Sequence, residues 1–186
     1  MLIAACSGGA SEAPSGNTQP IAAGSSGSAL PSLPSNAKDL EALIPGKVGG
    51  ITLQGLSMRG DEFVSSGGAT QETQKFLEGL GVATDDVAVA AGFGSSTDTG
   101  GALVVFIFRA NGAGAERLLS VFKEALNSDR DEPLVWEAAS VSGKQVERAA
   151  DTKQAGQVYV YAQGDVLFYV AATREQDAAA ALEALP

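Results

Sequence analysis

Leu103-Val104-Val105-Phe106-Ile107-Phe108, residues 103–108, is a run without a polar side chain. β-Branched and aromatic residues suit a pleated strand, and apolarity on both faces puts that strand, Ala102 to Arg109, inside a sheet. Just upstream, Val87, Val89, Ala91 and Phe93 alternate with small residues, which predicts a partner strand over 87–93. Gly94 to Gly101 between them reads as a flexible polar loop. Downstream, a helix starting near Ala113 carries Leu118, Leu119, Phe122 and Leu126 on one face.

The pattern continues outward in both directions. Leu134 to Val141 and Lys144 to Ala149 form a hairpin around Ser142-Gly143, and Val158 to Tyr161 pairs with Val166 to Val170 around Gln163-Gly164-Asp165. Thr173 and Gln176 spell a capping box for a last helix striped by Ala178, Leu182 and Leu185. Toward the amino terminus, Asn36 and Asp39 open a helix with Leu40, Leu43 and Ile44, and Pro45-Gly46 ends it. Ile51, Leu53, Leu56 and Met58 alternate with a slip at Gly55, which predicts one bulged strand. Thr70 caps a helix bearing Phe76, Leu77 and Leu80, and Gly81 suits its left-handed end. Hairpins with interspersed helices predict an α+β two-layer sandwich, a mainly antiparallel sheet with helices packed on one face. Strand, loop, strand, helix occurs twice, over Val87–Leu126 and Gln157–Leu185, so an internal duplication is one reading of the pattern.

Composition bounds the chemistry. The 186 residues carry 12 Lys+Arg against 22 Asp+Glu, a net charge of −10, and 45% are hydrophobic. That apolar share builds a core, and the acidic balance opposes binding to nucleic-acid phosphates. The chain has no histidine and one cysteine, which removes Ser-His-Asp triads, thiolate or imidazole zinc sites and any internal disulfide.

Residues 1–6 and 7–36 differ from all that follows. Ile3-Ala4-Ala5-Cys6 resembles the lipobox of bacterial lipoproteins. In that family the Cys thiol receives a diacylglyceryl group and cleavage makes it the new amino terminus, which would fall on Cys6 here. Five residues precede Cys6, so the basic and apolar parts of the signal are expected upstream of Met1. Residues 7–36 are mostly Ser, Gly, Ala, Pro, Asn, Thr and Gln, with Glu12 as their one charge. Such a segment buries too little apolar surface to offset chain entropy, so it reads as a disordered tether about 30 Å in r.m.s. span. Residues 37–186 then form a single α+β domain. The layout implies a bacterial cell-envelope protein held to the membrane by lipid at Cys6, with its domain outside the cytoplasm.

No complete catalytic motif stands in the folded part. Ser35-Asn36-Ala37-Lys38 and Ser120-Val121-Phe122-Lys123 both spell S-x-x-K, but the companion S-D-N element is missing, so Lys123 reads as a solvated helix charge. Gly112-Ala113-Gly114 lies between strand and helix as a dinucleotide loop would, yet Arg117 takes the third glycine's place. The acids at Asp61-Glu62, Asp85-Asp86 and Asp129 to Glu132 lack calcium-loop spacing and read as solvated turns. No metal or cofactor is therefore expected. Tyr159 and Tyr161 share one strand face that an open sheet would present to a ligand, and Trp136 near Pro133 is a second contact candidate. The expected role is non-enzymatic binding of a small ligand or an envelope protein. The alternatives are a small envelope hydrolase using carboxylates or a Ser/Lys pair, and a carrier whose apolar cavity is lined by Phe106, Phe108 and Leu167.

Overall fold

A computed structural model describes residues 37–65, 71–98, 100–128, 130–151 and 156–186. The chain runs α1 (Lys38–Glu41), β1 (Lys47–Val48), β2 (Ile51–Thr52), β3 (Gln54–Arg59), α2 (Gly60–Ser65) and α3 (Gln71–Leu80). A short 3-10 turn at Thr84–Asp86 leads into β4 (Val87–Ser96), β5 (Gly101–Ala110) and α4 (Ala115–Asn127). Then come β6 (Glu137–Val141), β7 (Lys144–Asp151), β8 (Gly156–Gln163), β9 (Val166–Ala172) and α5 (Glu175–Ala184). The lipobox-like residues 1–6, the tether 7–36 and the Thr70 cap lie outside the described residues.

Seven strands form one antiparallel sheet in the order β3-β4-β5-β9-β8-β7-β6. The doubly apolar run of β5 is near its middle, paired to β4 on one side and to β9 on the other. Leu103, Val105 and Ile107 face one side with Tyr159, Tyr161, Phe168 and Val170, and meet Ala178, Ala181 and Leu182 of α5. Phe106 and Phe108 face the other side with Val158, Leu167 and Tyr169, and meet Phe76 and Leu77 of α3 and Leu118 and Phe122 of α4.

The antiparallel α+β sandwich read from the sequence is therefore what forms, with a further layer. Helices do not keep to one face: α5, with α1 and the β1–β2 ribbon, covers the face opposite α3 and α4. The reason is β5 itself, because a strand apolar on both sides needs cover on both. The two strand-strand-helix units consequently differ. The half-turn that exchanges the antiparallel β5 and β9 leaves each face where it is, yet α4 and α5 sit on opposite faces.

Local differences have local causes. The slip at Gly55 is not a bulge: Ile51–Thr52 pairs with Lys47–Val48, and Gln54–Arg59 crosses to the main sheet against β4. Much of the supposed loop is strand, since Gly94, Ser95 and Ser96 pair with Leu103, Ala102 and Gly101. Thr173 caps no helix; its hydroxyl accepts the Ala102 N–H at 2.9 Å, and its own N–H reaches the Ala102 carbonyl at 3.1 Å. Arg174 takes the N-cap position of α5 and grips Asp177 one turn on. The β6–β7 turn is tight as expected, with Ser142 at φ 50° and Gly143 at φ 79°, both left-handed as a two-residue type I′ hairpin requires.

Candidate functional site

After α4 the chain must return to the sheet, and it is pinned there twice. Asn127 at the helix end accepts the Leu134 N–H at 2.8 Å, and Leu134 is buried. Arg130 bonds the Leu126 carbonyl through Nε at 3.0 Å and clasps Asp151 at the end of β7 with both terminal nitrogens. Pro133 bars the helix from continuing, so residues 131–136 run as a rim across the sheet end.

Between that rim and the start of α5 lies an open groove of about 720 Å³, a size typical of small-molecule sites. Arg148, Ala150 and Gln157 floor it, Glu175 stands at the helix end, and Asp131 and Glu132 crown the rim. Pro133 and Val135 give it an apolar shoulder, and Val135 is 77% exposed. Arg148 lies 3.6 Å from Glu137, which faces it in the β6–β7 register.

Tyr159 pairs with Arg148 across β7 and β8 and packs on the α5 side of the sheet. The residue is 1% exposed, and among the described residues its hydroxyl forms no hydrogen bond. Burial pushes its pKa up, the negative charge of Glu175 adds to the rise, and Arg148 pulls it back. The ring is thus core, while the hydroxyl lies within electrostatic reach of two groove residues.

The other sequence candidates fall elsewhere. Tyr161 stacks on Phe168 at 4.7 Å and donates its hydroxyl to the Pro186 carbonyl at 2.9 Å, and burial raises its pKa. The open tyrosine face expected from the sequence is therefore absent, because α5 and the carboxyl terminus cover it. Trp136 packs on the opposite face beside the α4 core, half-buried, with Nε1 enclosed and unpartnered. Cys6 lies outside the described residues.

Of the chemical motifs, Lys123 is no solvated charge: its Nζ is held at 2.5 Å by Glu147, and both side chains are largely covered. Ser35 is outside the described residues. The Gly112–Gly114 loop follows a strand paired antiparallel on both sides, not a βαβ unit, so it is a connection. Asp85 and Asp86 are exposed on their 3-10 turn. Phe108 is packed against Phe63, Phe76, Phe106 and Phe122 at 5.3–6.5 Å, so rings fill the space where a carrier cavity was envisaged. Among the described residues no three acids or cysteines converge as a metal site, and no helix is long and apolar enough to cross a membrane.

Sequence reasoning missed the groove because its parts are scattered. Asp131 and Glu132 read as ordinary turn charge, and Gln157, Arg148 and Glu175 carried no motif at all. Only the alternation that puts Arg148 opposite Tyr159 hinted at their meeting. Comparison of the chain with protein-family models, with curated proteins and with solved structures finds no match.

Proposed function

We propose that this is a lipid-anchored bacterial envelope protein whose α+β domain binds a ligand without transforming it. The observation that carries the binding role is the groove: a concave site of ligand size, with Arg148, Gln157 and Glu175 converging on it and an apolar shoulder beside them. The non-catalytic role is supported by the composition, which has no histidine, and by Lys123, whose ion pair withholds it from Ser120. The anchor rests on the lipobox-like Ile3-Ala4-Ala5-Cys6 and the Ser/Gly/Pro-rich stretch after it. Two acyl chains on Cys6 give stable attachment where one is marginal.

The test is to express the chain behind a functional lipoprotein leader in a bacterium and follow labelled fatty acid. Wild type partitions with membranes and carries label; Cys6→Ser does neither and still folds. Equal labelling of both, or a fully soluble labelled-free wild type, defeats the anchor. Activity toward envelope esters or amides in the purified domain defeats the non-enzymatic reading.

A further inference from the structure

At β6 the sheet ends in an unguarded edge. The strand closes the order β3-β4-β5-β9-β8-β7-β6 and has no strand beyond it among the described residues. Its five residues, Glu137-Ala138-Ala139-Ser140-Val141, include no proline, lysine or arginine, and they pair with β7 without a bulge. Those are the devices that ordinarily stop an edge from taking up another strand.

The turn decides which backbone groups are free. In a two-residue hairpin the flanking residues, here Val141 and Lys144, exchange both of their backbone bonds. By alternation Ala139 and Glu137 also bond to β7, and the N–H and C=O groups of Ala138 and Ser140 point out of the sheet. Both residues are exposed, and neither side chain is bulky enough to shield them.

Two side chains beside this edge indicate what covers it. Leu134 and Trp136 pack on the α4 side, so Val135 between them turns the other way, where it is 77% exposed against 38% for Val64 and Phe93. Glu137, also on the α5 side, is held only loosely, 3.6 Å from Arg148. A second β6 laid antiparallel, Ala139 opposite Ala139, answers both. Ala138 and Ser140 then exchange bonds with the partner's Ser140 and Ala138. Glu137 falls opposite the partner's Val141, with the partner's Lys144 next in the same row, so the carboxylate lies between two cations. Val135 falls over the partner's Gly143, beside which there is open space, on a turn fixed by the Ser142 hydroxyl donating to the Ala179 carbonyl at 3.1 Å. No like charges stand opposite each other in this register. Sliding both strands toward their amino-terminal ends would bring the two Glu137 carboxylates face to face.

We propose that two copies of the chain associate through β6, joining their seven-stranded sheets edge to edge about a two-fold axis. The charge of −10 on each copy opposes approach at long range, but at about 0.15 M salt it is screened beyond about 8 Å. Glu137 and Val135 also border the groove, so the partner's Lys144 comes to its margin. The dimer does not rest on the groove being the binding site.

Sedimentation equilibrium of the full chain at about 0.15 M salt tests it. The expected result is a monomer–dimer equilibrium with a dissociation constant of about 10–100 μM, as suits a small interface. Ser140→Pro removes an outward N–H where an edge strand tolerates proline, and should give a folded monomer. Lys144→Glu and Glu137→Lys each set like charges together twice, and each should weaken association about tenfold. Mixed in equal amounts, these two variants should recover an affinity near that of wild type, because the hetero-pair matches opposite charges at both contacts. Wild type that stays monomeric at about 1 mM overturns the proposal. A dimer that survives Ser140→Pro overturns it in favour of another surface, and if that variant unfolds the charge variants decide. Charge variants that associate as wild type does, or gain nothing on mixing, overturn the self-complementary register. A monomeric wild type in which an added Thr/Val peptide protects the Ala138 and Ser140 amides from hydrogen exchange overturns it in favour of a foreign strand.

Discussion

Arg130 and Asp151 meet through two parallel bonds, Nη1 to Oδ1 at 3.1 Å and Nη2 to Oδ2 at 2.9 Å, with the carboxylate fully buried. This bidentate clasp joins the end of α4 to the end of β7 and so fixes the rim of the groove. The geometry is planar fork to planar carboxylate, which a lysine cannot copy. Removing the arginine strands a buried charge, so Arg130→Ala should cost about 3–5 kcal/mol. Asp151→Asn with Arg130 retained should cost less, because the guanidinium is 15% exposed and can turn toward water. Urea denaturation of both variants checks the order. If Arg130→Ala loses less than Asp151→Asn, the clasp is not what holds the rim.

The aromatic cluster gives a graded pair of variants. Phe108 is 8% exposed and touches four other rings, whereas Phe106 is half-buried and meets Phe108 and Tyr169. Phe108→Ala should therefore cost about 3–5 kcal/mol, and Phe106→Ala about 1–3 kcal/mol. Equal losses in chemical denaturation would mean that the α3–α4 face of β5, which carries both rings, is packed differently from this arrangement.

Thr173 separates two accounts of the same residue. As a helix cap it would act with Gln176; as a sheet tie it acts on Ala102, 71 residues away. Thr173→Val removes the acceptor while keeping the shape, and should cost about 1 kcal/mol. Gln176→Ala, at an exposed position, should be neutral within about 0.5 kcal/mol. Amide hydrogen exchange at Ala102 should quicken in the valine variant. Loss of stability in Gln176→Ala with protection of Ala102 intact would restore the capping box.

These cases show where local sequence carries the fold and where it does not. The run 103–108 determines its own strand and, being apolar on both sides, also demands the two covering layers, although periodicity does not say which helices supply them. Gly55 looks like a bulge because alternation cannot tell one slipped strand from two short ones in different sheets. Tyr159 and Tyr161 look open because nothing near them in sequence announces α5 above. The register Glu137↔Arg148↔Tyr159 puts the separate candidate Trp136 on the face opposite Tyr159 and Tyr161. The groove was hidden for the same reason. Its rim depends on a contact between positions 130 and 151 and its floor on strand pairing, and neither leaves a local signature.

The buried phenols make stability fall at high pH. Burial pushes Tyr169 up to about 12, with the Asp151 charge adding to the rise and Arg130 offsetting part of it. Tyr161 is raised by burial too, and its hydroxyl donates to the Pro186 carbonyl, a bond available only to the protonated form. In the unfolded chain both titrate near 10. Below that pH both states hold the proton and stability is unaffected. Above it the unfolded chain loses protons that the folded chain keeps, so stability drops through the window from about pH 10 to 12, by about 1.4 kcal/mol per pH unit for each such group. Urea midpoints measured at rising pH should be flat to about pH 9 and then fall. Phenolate absorbance should appear together with loss of the far-ultraviolet helix and sheet signal, not ahead of it. Tyr161→Phe should flatten part of the fall. Phenolate signal near pH 10 in a still-folded protein would mean that the rings reach water, Tyr161 on the α5 face or Tyr169 on the α3–α4 face.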